Sequence, residues 1–289
     1  MHKKLLLSLT ATAVLLLSNI SFSQTQLPNS TLNVGILESF EAYTGSGAVT
    51  NSGGTVNGDV GTNLGAISGF TDPLNSGEHY TADAVTDQAR FDLLRLYIHL
   101  AAISVDFHNA FDPVTFPAHA AVFGAGETLV PGVYAIGSAG SVGEALTLDG
   151  ERDPNVVFVT KMNGALTVTA GATVSLTNET KYSNVFWPIN GAISVAAGAD
   201  VKGTLFSMVG AVGLTENVIL EGRMLSMAGL ISMEIGSSAT PPLPSTMPIF
   251  CEVDCTPASD ILDVISGFTL FSSAGSVVNT GITGIIGKI

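Results

Sequence analysis

VVFVTKMNGALTV at residues 156–168, NVFWPINGAISVA at 184–196, GTLFSMVGAVGLT at 203–215 and GRMLSMAGLISME at 222–234 repeat one pattern four times. Gly164, Gly191, Gly210 and Gly229 occupy matching places, at steps of 27, 19 and 19 residues. A short apolar run leads into a small-residue corner, and a second apolar or Ser/Thr-bearing run leads out. One copy cannot bury its own apolar face, whereas stacked copies bury each other's. A period of about twenty residues with this grammar predicts a β-solenoid. Such folds act through repetitive outer faces more often than through clefts.

Composition agrees. Only 12% of the 289 residues are charged, 46% are hydrophobic and 32 are glycine, as a β-rich stack with tight corners requires. The chain opens with Met1-His2-Lys3-Lys4, an apolar run from Leu5 to Leu17 and the small residues Ser21-Phe22-Ser23. This is the pattern of a secretory signal peptide over residues 1–23, and its apolar run is too short to span a bilayer. No membrane anchor is expected elsewhere. Loss of Lys3 and Lys4 makes the net charge two units more negative than −14. That acidity argues against nucleic acid, whose phosphates need Lys and Arg, and suits a secreted, extracellular protein.

Residues 24–35 form an N-terminal tail, and 36–237 carry the solenoid. Short β-type runs, SFEAYTGSGAVTNSG and TVNGDVGTNLGAISGF, open it. Between 82 and 105 the period changes. Val85, Ala89, Leu93, Leu96, Leu100 and Ile103 make one apolar stripe, with Asp83 and Asp87 at the dipole-favoured end. One long α-helix packed along the stack is predicted. Residues 238–262 are a Pro-rich linker containing Cys251 and Cys255, spaced for a small disulfide loop in an oxidising compartment. Phe268 to Gly281 then echoes Phe40 to Gly53, so 263–289 reads as the truncated start of a second similar domain.

No catalytic or metal constellation stands out. His79, His99, His108 and His119 lack ligand spacing, and no cofactor is expected. Asp149, Glu151 and Asp153 crowd one turn, as in some polysaccharide lyases, but ten Lys/Arg in the whole chain is few for a lyase groove. Met208, Met224, Met227 and Met233 fit either core filling or a soft adhesive patch.

The order of GDVGTN (58–63), ISGF (67–70), the helical stretch, LVPGVY (129–134), LTLDGERDPNVVFV (146–159), NVFWPINGA (184–192) and Gly222-Arg223 resembles the bacterial and fungal ice-binding-protein-like family, of DUF3494 type. The resemblance covers roughly residues 36–237. It implies a right-handed, discontinuous β-solenoid of triangular cross-section with one α-helix alongside, secretion by a cold-living microbe, an ice crystal surface as partner, and no enzymatic activity. It also implies Thr–Ala/Gly–x–Thr/Asn motifs on successive coils. The corners here read Asn163-Gly-Ala-Leu-Thr167, Asn190-Gly-Ala-Ile-Ser194, Val209-Gly-Ala-Val-Gly213 and Ala228-Gly-Leu-Ile-Ser232, polar in the first two coils and apolar in the last two. Candidate ice-contacting residues are Asn163, Thr167, Thr169, Asn190, Ser194 and Ser232. Thr173 and Thr177 could extend the array or serve simply as strand residues. The competing expectation is an extracellular structural or adhesive module of the same fold, in which Val, Met and Leu would dominate the flattest face.

Overall fold

A computed structural model describes residues 34–71, 75–102 and 119–242. The readings for the signal peptide, the Cys251/Cys255 pair, the echo at 263–289, Ile103 and His108 lie outside these residues.

The chain forms β1 (Phe40–Thr44), β2 (Val49–Asn51), β3 (Thr55–Val56), β4 (Asp59–Thr62), β5 (Ile67–Ser68) and β6 (His79–Thr81), and then α1 (Ala84–Ala102). It resumes with β7 (Val122–Gly124), β8 (Glu127–Leu129), β9 (Gly132–Ile136), β10 (Gly140–Gly143), β11 (Ala145–Asp149), β12 (Phe158–Met162), β13 (Leu166–Val168) and β14 (Thr173–Thr177). The later coils supply β15 (Val185–Ile189), β16 (Ile193–Val195), β17 (Asp200–Ser207), β18 (Val212–Leu214), β19 (Ile219–Ser226), β20 (Ile231–Met233) and β21 (Ser238–Thr240). The solenoid thus takes in Ser238–Thr240, which the sequence assigned to the linker, and Val34, assigned to the tail, is buried.

The paired strands are parallel, as coil-on-coil stacking demands. One sheet has eight strands in the order β5-β2-β20-β18-β16-β13-β10-β7. The other has thirteen, and its long strands β17 and β19 bend round an edge of the three-sided prism. The order exposes the discontinuity: β1 lies between β4 and β19, and β2 lies between β5 and β20. The first coil therefore docks on the last. Helix α1 carries the chain back along the outside to the far end, where β7 starts the return.

Alternation sorts the side chains. Ala42, Leu205 and Met224 point into the prism core, while their neighbours Tyr43, Phe206 and Leu225 point outward beneath α1. Ala89, Leu93, Leu96 and Leu100, four positions of the expected stripe, pack on that outer side. Asp83 caps the helix reciprocally with Thr86: the Thr86 amide donates to Asp83 Oδ1 (2.8 Å) and the Asp83 amide donates to Thr86 Oγ1 (2.9 Å). The Tyr43 hydroxyl donates to Thr86 O (2.7 Å), and burial pushes its phenol well above the ordinary range. At the other end, Lys161 Nζ donates to Ala101 O (3.1 Å). The 19 residues give a helix of roughly 28 Å, shorter than the 82–105 expectation.

The repeated glycines make close coil approach possible. A methyl group on Gly229 would overlap the carbonyl of Gly210, and one on Gly210 would overlap Ala192 of the coil beyond. Gly47 stands over Gly229 in the same way, so the stack continues through the N-terminal coil. Buried hydroxyls satisfy the corner carbonyls. Ser207 Oγ donates within reach of Gly191 O and Gly210 O (both 2.8 Å), Thr44 Oγ1 donates to Gly229 O (2.9 Å) and Thr62 Oγ1 to Gly47 O (2.7 Å).

Candidate functional site

The eight-stranded sheet presents a regular surface of stacked short strands. In β13, β16, β18 and β20 the middle residue points outward between two buried apolar residues, and Thr50 of β2 lies the same way between Val49 and Asn51. Register aligns these residues and their partners on the other strands in one column: Val122, Ser141, Thr167, Ser194, Gly213, Ser232, Thr50 and Ser68. Six of the eight carry a hydroxyl. On either side of the column the sheet turns inward to Leu166, Ile193, Val212, Ile231 and Val49, and to Val142, Val168, Val195, Leu214 and Met233, all buried.

A second column runs two residues earlier in each coil: Ala139, Ala165, Ala192, Ala211, Leu230, Ala48 and Ala66. The ladder extends to it through bonds such as Leu166 N to Ala192 O (2.9 Å), Ile193 N to Ala211 O (2.8 Å) and Ile231 N to Ala48 O (3.0 Å). Neither column contains an ionisable side chain. At a rung spacing of ~4.8 Å, eight rungs make a lattice roughly 34 Å long. Thr50 Oγ1 reaches Ile231 O at 3.4 Å, but Thr167, Ser194 and Ser232 have no hydrogen-bond partner among the described residues. Their hydroxyls face solvent water.

All six candidate residues fall on this side. Thr167, Ser194 and Ser232 share the hydroxyl column. Thr169 is exposed two residues further along, at the far edge. Asn163 and Asn190 stand at the opposite corner, where Asn190 Nδ2 donates to Asn163 Oδ1 (3.3 Å). The same corner turns apolar at Val209 and Leu64, which are 71% and 62% exposed, and the adjoining Leu230 is 41% exposed. The later corners also differ in length. Ile189 pairs with Ser207, yet Gly210 lies one residue further from Ser207 than Gly191 lies from Ile189, so the later corners hold one more residue. Thr173 and Thr177 sit on β14 in the other sheet, apart from this face.

The sequence reading left Thr50, Ser68 and Ser141 out of the array. A signal for two of them was present: Gly47-Ala48-Val49-Thr50 and Gly65-Ala66-Ile67-Ser68 repeat the tetrad Gly191-Ala192-Ile193-Ser194. As for the methionines, Met224 and Met233 are core residues, while Met208 and Met227 are half-buried against the helix-facing cluster. They form no soft patch.

Other polar groups serve the fold. Asp149 Oδ1 accepts from the Glu151 amide (2.9 Å) and from Asn178 Nδ2 (2.8 Å), and the first of these is the larger cause of its lowered pKa. Asp153 Oδ1 accepts from the Asn155 amide (2.9 Å). His119 stacks on Phe123 and meets Glu127 Oε1 at 2.7 Å. Among the described residues no group of three His, Cys, Asp or Glu side chains is placed to hold a metal ion, and no helix is long and apolar enough to cross a membrane. The face of the thirteen-stranded sheet away from α1 carries a charged cluster, with Lys202 Nζ 2.7 Å from Asp200 and 2.9 Å from Glu221.

Comparison with known proteins matches this architecture. The Ice-binding-like family model covers residues 43–237. An ice-binding protein of Nostoc sp. (strain HG1) is 27% identical over 225 residues, which cover 76% of this chain and 79% of that protein. The crystal structure of an ice-binding protein from an Antarctic Flavobacteriaceae bacterium superimposes with a TM-score of 0.68 at 33% identity, covering 81% of this chain and 52% of that one. This chain thus spans about half the length of that structure. The ice-binding protein of the Antarctic ascomycete Antarctomyces psychrotrophicus gives a TM-score of 0.63 at 28% identity, covering 74% and 99%. With the family pattern running from within β1 up to the start of β21, on the fold its solved members share, this chain belongs to the Ice-binding-like family.

Proposed function

We propose that the chain is a secreted ice-binding protein that works through the eight-rung face and performs no chemistry. One observation carries the reading: the face is a regular, uncharged lattice of Ala methyls and Ser/Thr hydroxyls at strand spacing. Ionised groups orient water strongly around themselves and oppose an ice-like arrangement, whereas methyls and single hydroxyls tolerate one. Each contact is weak, and binding comes from the sum over many rungs. Small residues rather than Val, Met and Leu dominate the face, which favours ice over the adhesive alternative. Asn163, Thr167, Thr169, Asn190, Ser194 and Ser232 are the proposed contacts, joined by Thr50, Ser68 and Ser141.

Replacing Thr167 by Tyr raises a bulky ring in the middle of the lattice without touching the core. Thermal hysteresis and ice-recrystallisation inhibition are expected to fall several-fold, with the melting temperature unchanged. Full activity in Thr167→Tyr would remove this face as the site. Wild-type activity no greater than that of an inert protein at equal concentration would end the ice-binding reading. Secretion follows from residues 1–23. Mass spectrometry of protein recovered from the culture medium is expected to show a mature chain starting near Gln24, and an intact Met1 there would refute it.

A further inference from the structure

The seam where the first coil docks on the last encloses a column of polar groups. Thr204 of β17 pairs in register with Arg223 of β19. The Ala42–Met224 pairing sets Glu41 of β1 beside Arg223, at a bulge where the register with β4 shifts. All three side chains are fully buried. Arg223 donates from Nε to Leu37 O (3.1 Å), and from Nη2 to Glu38 O (2.8 Å) and Pro242 O (3.3 Å). The guanidinium thus ties the N-terminal turn and the chain's exit from β21 to the last coil. Its Nη1, the Thr204 hydroxyl and both Glu41 carboxyl oxygens make no hydrogen bond, and no ion pair joins Glu41 to Arg223.

An ionised carboxylate here would lack every donor it had in water, a loss greater than the cost of keeping its proton at neutral pH. We propose that Glu41 is a proton-carrying positioning residue: its carboxyl is neutral in the folded protein, and its ionisation loosens the docking of β1–β3 on β19–β21. The titratable groups around it are Arg223, Glu38, Tyr182, Lys202 and Glu221. Burial, the largest influence, raises the Glu41 carboxyl well above its ordinary value, and the attraction of Arg223 offsets this only in part. Burial also lowers Arg223 to about 10, so it stays charged through neutrality.

The sign follows from linkage. A group whose folded value is raised stabilises most below its ordinary value and loses that contribution as pH climbs towards the folded value. The β2 and β5 rungs, with Thr50 and Ser68, are held through this seam. The proposal itself concerns folding and stands independently of ice binding.

Thermal unfolding of the full chain and of Glu41→Gln, from about pH 5 to about pH 9, tests it. Gln keeps the shape and cannot titrate. The wild-type melting temperature is expected to fall relative to the variant by roughly 3–5 °C per pH unit above the ordinary glutamate range, and to level off where Glu41 ionises in the folded protein. Amide exchange at Thr50 and Ser52 should accelerate with pH, beyond its intrinsic rise, in the wild type only. Parallel pH profiles, or a variant destabilised more at alkaline than at acid pH, would overturn the proposal, the latter marking Glu41 as an ionised partner of Arg223. Should Glu41→Gln fail to fold, carbon NMR of the glutamate carboxyls in the wild type decides. One protonated signal at neutral pH is expected, and ordinary titration of every glutamate refutes it.

Discussion

Gly229 shows how one atom sets the coil spacing. Its backbone stands against the carbonyl of Gly210, so a Cβ there must push two coils apart. Gly229→Ala is expected to cost about 1–3 kcal/mol, as overpacking does, read as a lower urea midpoint. An unchanged midpoint would mean that the corner has slack. Thr167 illustrates the opposite case: its neighbours Leu166 and Val168 are buried, while its own side chain faces solvent. Substitution there changes the surface and leaves the core alone, so activity and stability separate. The sequence could not separate Thr167 from Thr173 by residue type, since both are good strand residues. Only the sheet each strand joins does that.

Helix α1 was legible because its apolar stripe recurs at helical spacing, which no neighbouring segment imitates. Its start was less so: the cap at Asp83 uses Thr86 where a Glu or Gln would have advertised the motif. The element is held by packing more than by its own propensity. Leu93→Ala, in the middle of the buried stripe, should cost about 2–5 kcal/mol. Asp83→Ala, which removes only the cap, should cost about 1 kcal/mol. Urea titrations followed by far-ultraviolet circular dichroism compare the two, and equal effects would show that the helix does not depend on its seat against Phe186 and Phe206.

At the scale of the molecule, the discontinuity makes a linear stack cooperative. Neighbouring coils in a simple solenoid can fray one by one from either end. Here the last coil, β19–β21, is covered on one side by its predecessor and on the other by the first coil, so it is interior although it ends the chain. Hydrogen exchange is expected to be slowest at Leu205–Ser207 and Met224–Ser226 and fastest at the β5/β6 and β7/β8 ends. Rapid exchange at Met224–Ser226 would show that the first coil undocks readily. Trp187, buried with Nε1 donating to Lys202 O (3.0 Å), should report the same cooperative transition by fluorescence.

The sequence alone determined the coil grammar, the solitary helix and the small-residue corners, because each rests on local periodicity: apolar alternation, the 3.6-residue stripe and glycines where coils touch. It also contained the Gly-Ala-x-Ser/Thr tetrads of the N-terminal coils. Tertiary structure alone decided that those tetrads continue the face beyond β20, that Thr173 and Thr177 lie elsewhere, and that Glu41 meets Arg223 in a sealed seam. Those outcomes depend on which chain-distant coil covers which apolar end. That choice is made by the area removed from water when the stack closes, and no short-range pattern in the sequence records it.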